Sequence, residues 1–353
     1  MRRRAGAALI RSAARCVRLT TVGPHLPRPC ASAAALCLIA ATAPLAAASG
    51  DWIESPAAKV RLISRWSAVA PGDEPALGVE FALAPGWHVY WKNPGDAGYP
   101  PALELRSGAL GTAELLYPAP RRFELAGGLE AIGYEREVVY PVALAAGSVG
   151  SGGAITATVD YLACAEQCVP FRQDLALVLP AAERSLADPE TAPRLDAWRA
   201  KVPRALDRAA GERVAARLEH AGETPELELR LALAVPGAEA PAPALFFESS
   251  PAWIVERPRF EREAGSLATF RVRIRPRDPS LPAPDALRLG WTAAGFARAG
   301  APLAWSGSLD LATNSASARG ASAWSWLAAA LFAALFVVVL VSRRSRAVAV
   351  VPR

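Results

Sequence analysis

From Lys59 onward, apolar and polar positions alternate in short runs broken by Gly and Pro. Lys59–Trp66, Ala76–Leu83 and Trp87–Trp91 each show the two-residue period of a half-buried strand. Pro71-Gly72-Asp73 marks a turn between the first two, and Asn93-Pro94-Gly95-Asp96 ends the third. Leu115–Tyr117, Glu137–Leu144, Ala154–Tyr161 and Asp174–Leu179 continue the series. Many short strands separated by turn residues predict a β-sandwich of the immunoglobulin-like kind over residues 51–182.

Residues 183–210 break the pattern. Ala192, Leu195, Trp198 and Val202 recur at helical spacing, with Pro193 in the first turn and Pro203 beyond the end. A short helical linker is predicted. Alternation resumes over 211–310, at Glu226–Ala234, Ala268–Arg275 and Leu287–Trp291, which predicts a second, smaller β-sandwich. The fold class is therefore all-β, with two sandwiches in tandem.

The ends read differently. Residues 1–50 join seven arginines, no acid and an apolar, alanine-rich run over 31–48, the pattern of a secretory signal cut near Ala48 or Gly50. Residues 311–323 read as a polar tether. Trp324–Val341 carries no charge and is followed by Arg343, Arg344 and Arg346. This predicts a transmembrane helix over 324–342 and a basic cytoplasmic tail over 343–353, with the bulk of the chain on the outer side.

That topology changes the meaning of the net charge. The whole sequence is +6, but residues 1–50 bring +7 and residues 311–353 bring +5, so 51–310 carries −6. The positive charge belongs to the membrane-directing ends, which excludes nucleic-acid binding for the exported part.

Three of the five cysteines, Cys16, Cys30 and Cys37, lie in the signal. The other two form the segment Tyr161-Leu-Ala-Cys164-Ala-Glu-Gln-Cys168-Val-Pro170. Alternating flanks predict a hairpin with Ala165-Glu166-Gln167 at its tip. Cysteines facing across such a loop have Cα atoms roughly 5.5–6 Å apart, a spacing that permits a disulfide. A bridge over so short a loop stabilises by about 2 kcal/mol, against about 4 kcal/mol for a loop of fifty residues. From the residues alone, a structural staple and a thiol–disulfide centre both stand. A Cu(I) site on two thiolates is a third reading; zinc lacks ligands, since His88 and His220 fall in different predicted domains. His88, between Trp87 and Val89, reads as a core or edge residue of a strand. No hydrolase or phosphate-binding motif is present.

Beyond the spacing, an ordered set of motifs carries a resemblance. Pro85-Gly-Trp-His-Val-Tyr-Trp-Lys-Asn-Pro-Gly-Asp-Ala-Gly98, Ile132-Gly-Tyr-Glu135, Tyr140-Pro-Val142 and the Tyr161–Pro170 segment resemble the N-terminal periplasmic domain of DsbD-type thiol:disulfide interchange proteins, in particular the copper-sensitivity suppressor (ScsB) branch. The likeness spans roughly residues 51–182. It implies an immunoglobulin-like domain in which Cys164 and Cys168 are the redox pair; by hairpin position either cysteine can attack, with Cys168 favoured. It also implies a cap loop over the pair, assigned to Ile132, Gly133 and Tyr134 with Tyr134 as the capping aromatic. The implied partners are a membrane-embedded DsbD- or CcdA-like thiol donor and periplasmic thioredoxin-like clients; no cofactor and no metal ion are implied. Full-length members add a polytopic core and a thioredoxin-like domain. This sequence shows one anchor and no further cysteine, so it is expected to borrow its electrons from another protein at the inner membrane. The rival expectation is a binding or assembly module whose bridge is a plain staple.

Overall fold

The computed structural model describes residues 48–106, 110–145, 152–220, 226–262, 267–280 and 286–313. The N-terminal strands are β1 (Ile53–Glu54), β2 (Ala58–Ser64), β3 (Trp66–Ala68), β4 (Leu77–Leu83), β5 (His88–Gly95), β6 (Ala102–Leu105) and β7 (Ala113–Leu115). They continue with β8 (Arg121–Glu124), β9 (Glu130–Glu135), β10 (Glu137–Leu144), β11 (Gly153–Cys164), β12 (Cys168–Leu179) and β13 (Leu186–Ala187). One sheet has the order β1-β2-β4-β10-β7 and the other β12-β11-β5-β9-β8, with β6 also paired to β11. The inward faces of the two sheets share one core built on Val60, Leu62, Val79, Phe81, Tyr140 and Tyr161.

Strand β4 is buried almost end to end because both its faces are covered. The helix α1 (Thr191–Arg199) lies over the outer face of its sheet and buries Leu195 and Trp198 there. Asp188 Oδ1 accepts from the Thr191 N–H at 2.8 Å and starts the helix. Arg61 Nε and Arg194 Nε both donate to Glu80, a carboxylate buried between sheet and helix. The segment expected to be a helical linker is thus partly helical, with its helix docked on the first body.

The second body contains β14 (Arg213–His220), β15 (Leu227–Ala234), β16 (Ala244–Phe247), β17 (Trp253–Val255), β18 (Arg259–Arg262), β19 (Leu267–Pro276), β20 (Ala286–Arg298) and β21 (Ala301–Ala312). Its sheets are β14-β15-β19-β17, with β18 also on β19, and β16-β20-β21. Leu229, Leu231, Phe270, Trp291 and Trp305 anchor its core. Within it, Glu212 is fully enclosed. Arg204 donates to both carboxylate oxygens, at 2.6 and 2.8 Å, and Trp305 Nε1 donates at 2.9 Å.

The two bodies are joined through β16. Phe246 packs on Trp91 with ring centroids 5.8 Å apart, Asn93 Nδ2 donates to Phe247 O at 2.7 Å, and Arg122 donates to Leu245 O at 2.7 Å. A cleft of about 1010 Å³ opens beside this seam, between Trp198, Lys201, Phe246 and Phe296.

Several boundaries differ from those read in the sequence. Ala48–Gly50, expected in the signal, already pair with β2: Ser64 N donates to Ala48 O at 2.7 Å and Gly50 N to Leu62 O at 2.8 Å. Strand β21 continues to Ala312, into the expected tether. Among the described residues no helix is long and apolar enough to cross a membrane; the expected span over 324–342 lies outside them.

Candidate functional site

The site follows from alternation on three neighbouring strands. On β5, Val89 and Trp91 point into the core, which turns His88 and Tyr90 to the outer face. On β11, Tyr161 and Ala163 point inward, which turns Leu162 and Cys164 outward. The ladders align these residues, since Cys164 pairs with His88 across β11–β5 and with Cys168 across the β11–β12 hairpin.

Ala165-Glu166-Gln167 forms the hairpin tip, as its flanks predicted. Cys164 and Cys168 are disulfide-bonded, with Cα atoms 4.1 Å apart. This is closer than the roughly 5.5–6 Å anticipated and near the roughly 4.5 Å of a directly opposed, non-hydrogen-bonded cross-strand pair, flanked by the Ala165 N–H to Gln167 O bond at 3.1 Å.

The two sulfurs have unequal surroundings. Cys164 is 1% exposed, whereas Cys168 is open to solvent. Cys164 shares a small outer cluster with Tyr90, Ala131 and Leu162, under Phe123 and Leu125. The Tyr90 hydroxyl donates to Cys164 Sγ at 2.9 Å and stands 3.7 Å from Cys168 Sγ. Burial pushes the Tyr90 phenol above its usual pKa, so it stays a protonated donor. Gly98 backs the ring: its φ is +105°, and a Cβ there would sit 2.4 Å from Tyr90 Cζ.

His88 is also buried on this face. Its ring meets Tyr90 edge-on at 5.3 Å and Phe123 at 5.8 Å. Burial lowers its pKa below 6.5, with Glu135 pulling weakly the other way.

The expected cap residues are placed elsewhere. Ile132, Gly133 and Tyr134 belong to strand β9 instead of a loop. Alternation turns Ile132 and Tyr134 to the core face, away from the disulfide, and Tyr134 Oη donates to Pro118 O at 2.6 Å. Gly133 faces outward but has no side chain, because Val89 O approaches to 2.0 Å of where a Cβ would be. The groups covering Cys164 are Tyr90, Phe123 and Leu125, which the sequence pattern did not single out. The visible signal was the i, i+2 placement of His88 and Tyr90 opposite to Val89 and Trp91. Recognising it needed the β5–β11 neighbourhood, a contact across 74 residues.

Among the described residues, no group of three or more His, Cys, Asp or Glu side chains is arranged to hold a metal ion. What the arrangement offers is one accessible sulfur, one sheltered sulfur and a hydroxyl donor to the sheltered one.

Residues 59–180 match the family model of the N-terminal domain of thiol:disulfide interchange protein DsbD. No curated protein matches the chain. The crystal structure of the N-terminal periplasmic domain of ScsB from Proteus mirabilis is similar in fold, with a TM-score of 0.54 and 20% identity. The match covers 74% of this chain and 98% of that one, so it extends well beyond residues 59–180. Residues 59–180, which include the Cys164–Cys168 hairpin, are therefore similar to the DsbD N-terminal domain, and the fold resembles that of the ScsB domain.

Proposed function

We propose that this protein is a thiol–disulfide exchange module that receives reducing equivalents from a membrane-embedded thiol donor and passes them to periplasmic thioredoxin-like proteins. The observation that carries this reading is the split exposure of the bridge. A staple gains nothing from one open sulfur on an outer sheet face; exchange requires it, because the attacking thiolate must reach a disulfide sulfur in line. The family match supports the same chemistry.

The reaction proceeds in two halves. A donor thiolate attacks Cys168 Sγ, forming a mixed disulfide and breaking the Cys164–Cys168 bond. The electron pair leaves on Cys164, where the Tyr90 hydroxyl is positioned to stabilise the thiolate. The donor's second thiol then closes the donor disulfide and frees Cys168. In the forward half, the Cys168 thiolate attacks a client disulfide and Cys164 resolves the mixed disulfide, leaving the client as a dithiol.

The same reading places the module in the periplasm, tethered to the inner membrane by the apolar run at 324–342. The facing sheets of the first body support its immunoglobulin-like assignment.

The test is the reduction potential of the full chain, with Cys16, Cys30 and Cys37 changed to serine, equilibrated against thioredoxin-like proteins. Exchange with a potential above about −300 mV is expected, since structural bridges lie below that value. A lower potential without exchange would return the bridge to a staple. In cells, Cys164→Ala should trap mixed disulfides through Cys168; absence of any trapped species contradicts transfer by this pair.

A further inference from the structure

His88 stands directly opposite Cys164 across the β5–β11 ladder, on the same outer face. Opposed residues in an antiparallel pair keep their Cβ atoms about 4.5–5.5 Å apart, which brings an imidazole within reach of the neighbouring sulfur. The residue is 4% exposed, and its Nε2 is buried with no hydrogen-bond partner. Buried polar atoms are nearly always paired, so an orphan beside a reactive bond calls for a cause. The disulfide state supplies one. With the bridge closed, neither sulfur carries a proton to donate. Once it opens, the Cys164 thiol provides a donor beside the waiting acceptor.

Burial creates the matching need on the sulfur. Cys164 is sealed from solvent by Tyr90, Leu162, Phe123 and Leu125, so water is not at hand to remove its proton. Desolvation also disfavours the thiolate. Yet Cys164 must ionise to resolve the mixed disulfide formed through Cys168.

Resting on the exchange reading above, we propose that His88 is the general base that ionises Cys164 in the resolving step. The Cys164 thiol proton passes to His88 Nε2. The Cys164 thiolate attacks Cys168 Sγ, the Cys164–Cys168 bond forms, and the bond from Cys168 to the client breaks. Its electron pair leaves on the client sulfur, which then takes a proton. The pair is oxidised by two electrons and the client disulfide is reduced to two thiols. Tyr90 remains a donor throughout, holding the sulfur from its other side.

The groups facing His88 are Tyr90 on its own strand, Cys164 on β11, Phe123 on β8 and Glu135 on β9. Glu135 is the charged one among them, and it opposes the dominant effect of burial. The imidazole is therefore neutral at pH 7 and free to accept. The role requires the tautomer protonated at Nδ1.

The test uses the full chain with Cys16, Cys30 and Cys37 changed to serine, reduced, freed of reductant and mixed with 5,5′-dithiobis(2-nitrobenzoate). The first release of nitrothiobenzoate reports attack by Cys168, and the second reports resolution by Cys164. His88→Gln and His88→Phe are expected to slow the second release about a hundredfold at pH 7 and to leave the first within about twofold. The wild-type second phase should carry an inflection on the acid side of 6.5 that both variants lose. An unchanged second phase and pH profile in the variants overturns the proposal. If the variants do not fold, the wild type still decides: the His88 ring nitrogen resonances must shift on reduction, and unchanged resonances overturn it. Absence of the first release would overturn the exchange reading itself, and this step with it.

Discussion

The Tyr90 hydroxyl donates to Cys164 Sγ at 2.9 Å, from a strand that the sequence separates from that cysteine by 74 positions. The contact gives the sheltered sulfur a donor that strengthens as charge develops on it. Tyr90→Phe removes the donor and keeps the ring. Its expected effect is a bridge harder to reduce, by about tenfold in equilibrium with dithiothreitol, or about 30 mV. An equilibrium constant equal to that of the wild type would remove the hydroxyl from the chemistry.

Gly98 sets the depth at which that ring sits. Gly98→Ala places a methyl group against Tyr90 Cζ and forces a side chain into a backbone region it disfavours. It should destabilise the protein by about 1–3 kcal/mol and shift the redox equilibrium in the same direction as Tyr90→Phe. Chemical denaturation checks the first effect, and dithiothreitol equilibration checks the second.

Glu212 gives a pH signature unrelated to the disulfide. Burial alone would raise its pKa, but the Arg204 fork, the Asp207 N–H and the Trp305 indole outweigh it and hold the pKa at about 2, against 4.5 when unfolded. The folded form binds its proton less readily. Its stabilisation is therefore complete above pH 4.5 and is lost as pH falls from 4.5 through 2. With Arg204 nearly half-exposed, solvent screening reduces the effect to roughly 2 kcal/mol. Glu212→Gln should remove that pH-dependent part, so the difference in unfolding free energy between variant and wild type narrows below pH 4. A constant difference across that range would count against the assignment.

The junction between the two bodies rests heavily on Arg122, which donates to Leu245 O and to Glu130 and lies over the Phe246 ring. Arg122→Met keeps the apolar contact and removes the charge. Loss of about 1–3 kcal/mol is expected, with thermal unfolding separating into two transitions. A single transition at the wild-type midpoint would show that the seam holds without it.

Much of the first body was legible because its strands announce themselves locally. The β11–β12 hairpin follows from clean alternation on both sides of Ala165–Gln167, and β10 was read from Glu137 to Leu144 with its ends intact. Strands β14 and β21 escaped notice. The first mixes alanine and arginine, and the second carries Ser306, Gly307 and Ser308 in its middle, so neither has a firm two-residue period. The placement of Ile132 and Tyr134 on the core face has a related reason. Ile132 and Tyr134 look like a turn aromatic and its neighbour until pairing with β5 fixes their parity, and a shift of one residue exchanges core for surface. Phe123 and Leu125 cover Cys164 by tertiary packing alone, which no local pattern encodes.

The unequal exposure of the two sulfurs also limits the number of covalent species the protein can form. A symmetric bridge would yield two regioisomeric mixed disulfides with every partner, one of them a dead end whenever the wrong sulfur remained behind. With Cys164 closed off and Cys168 open, each encounter in the proposed exchange leads to a single adduct. That adduct always leaves the same thiol beside it to release the partner.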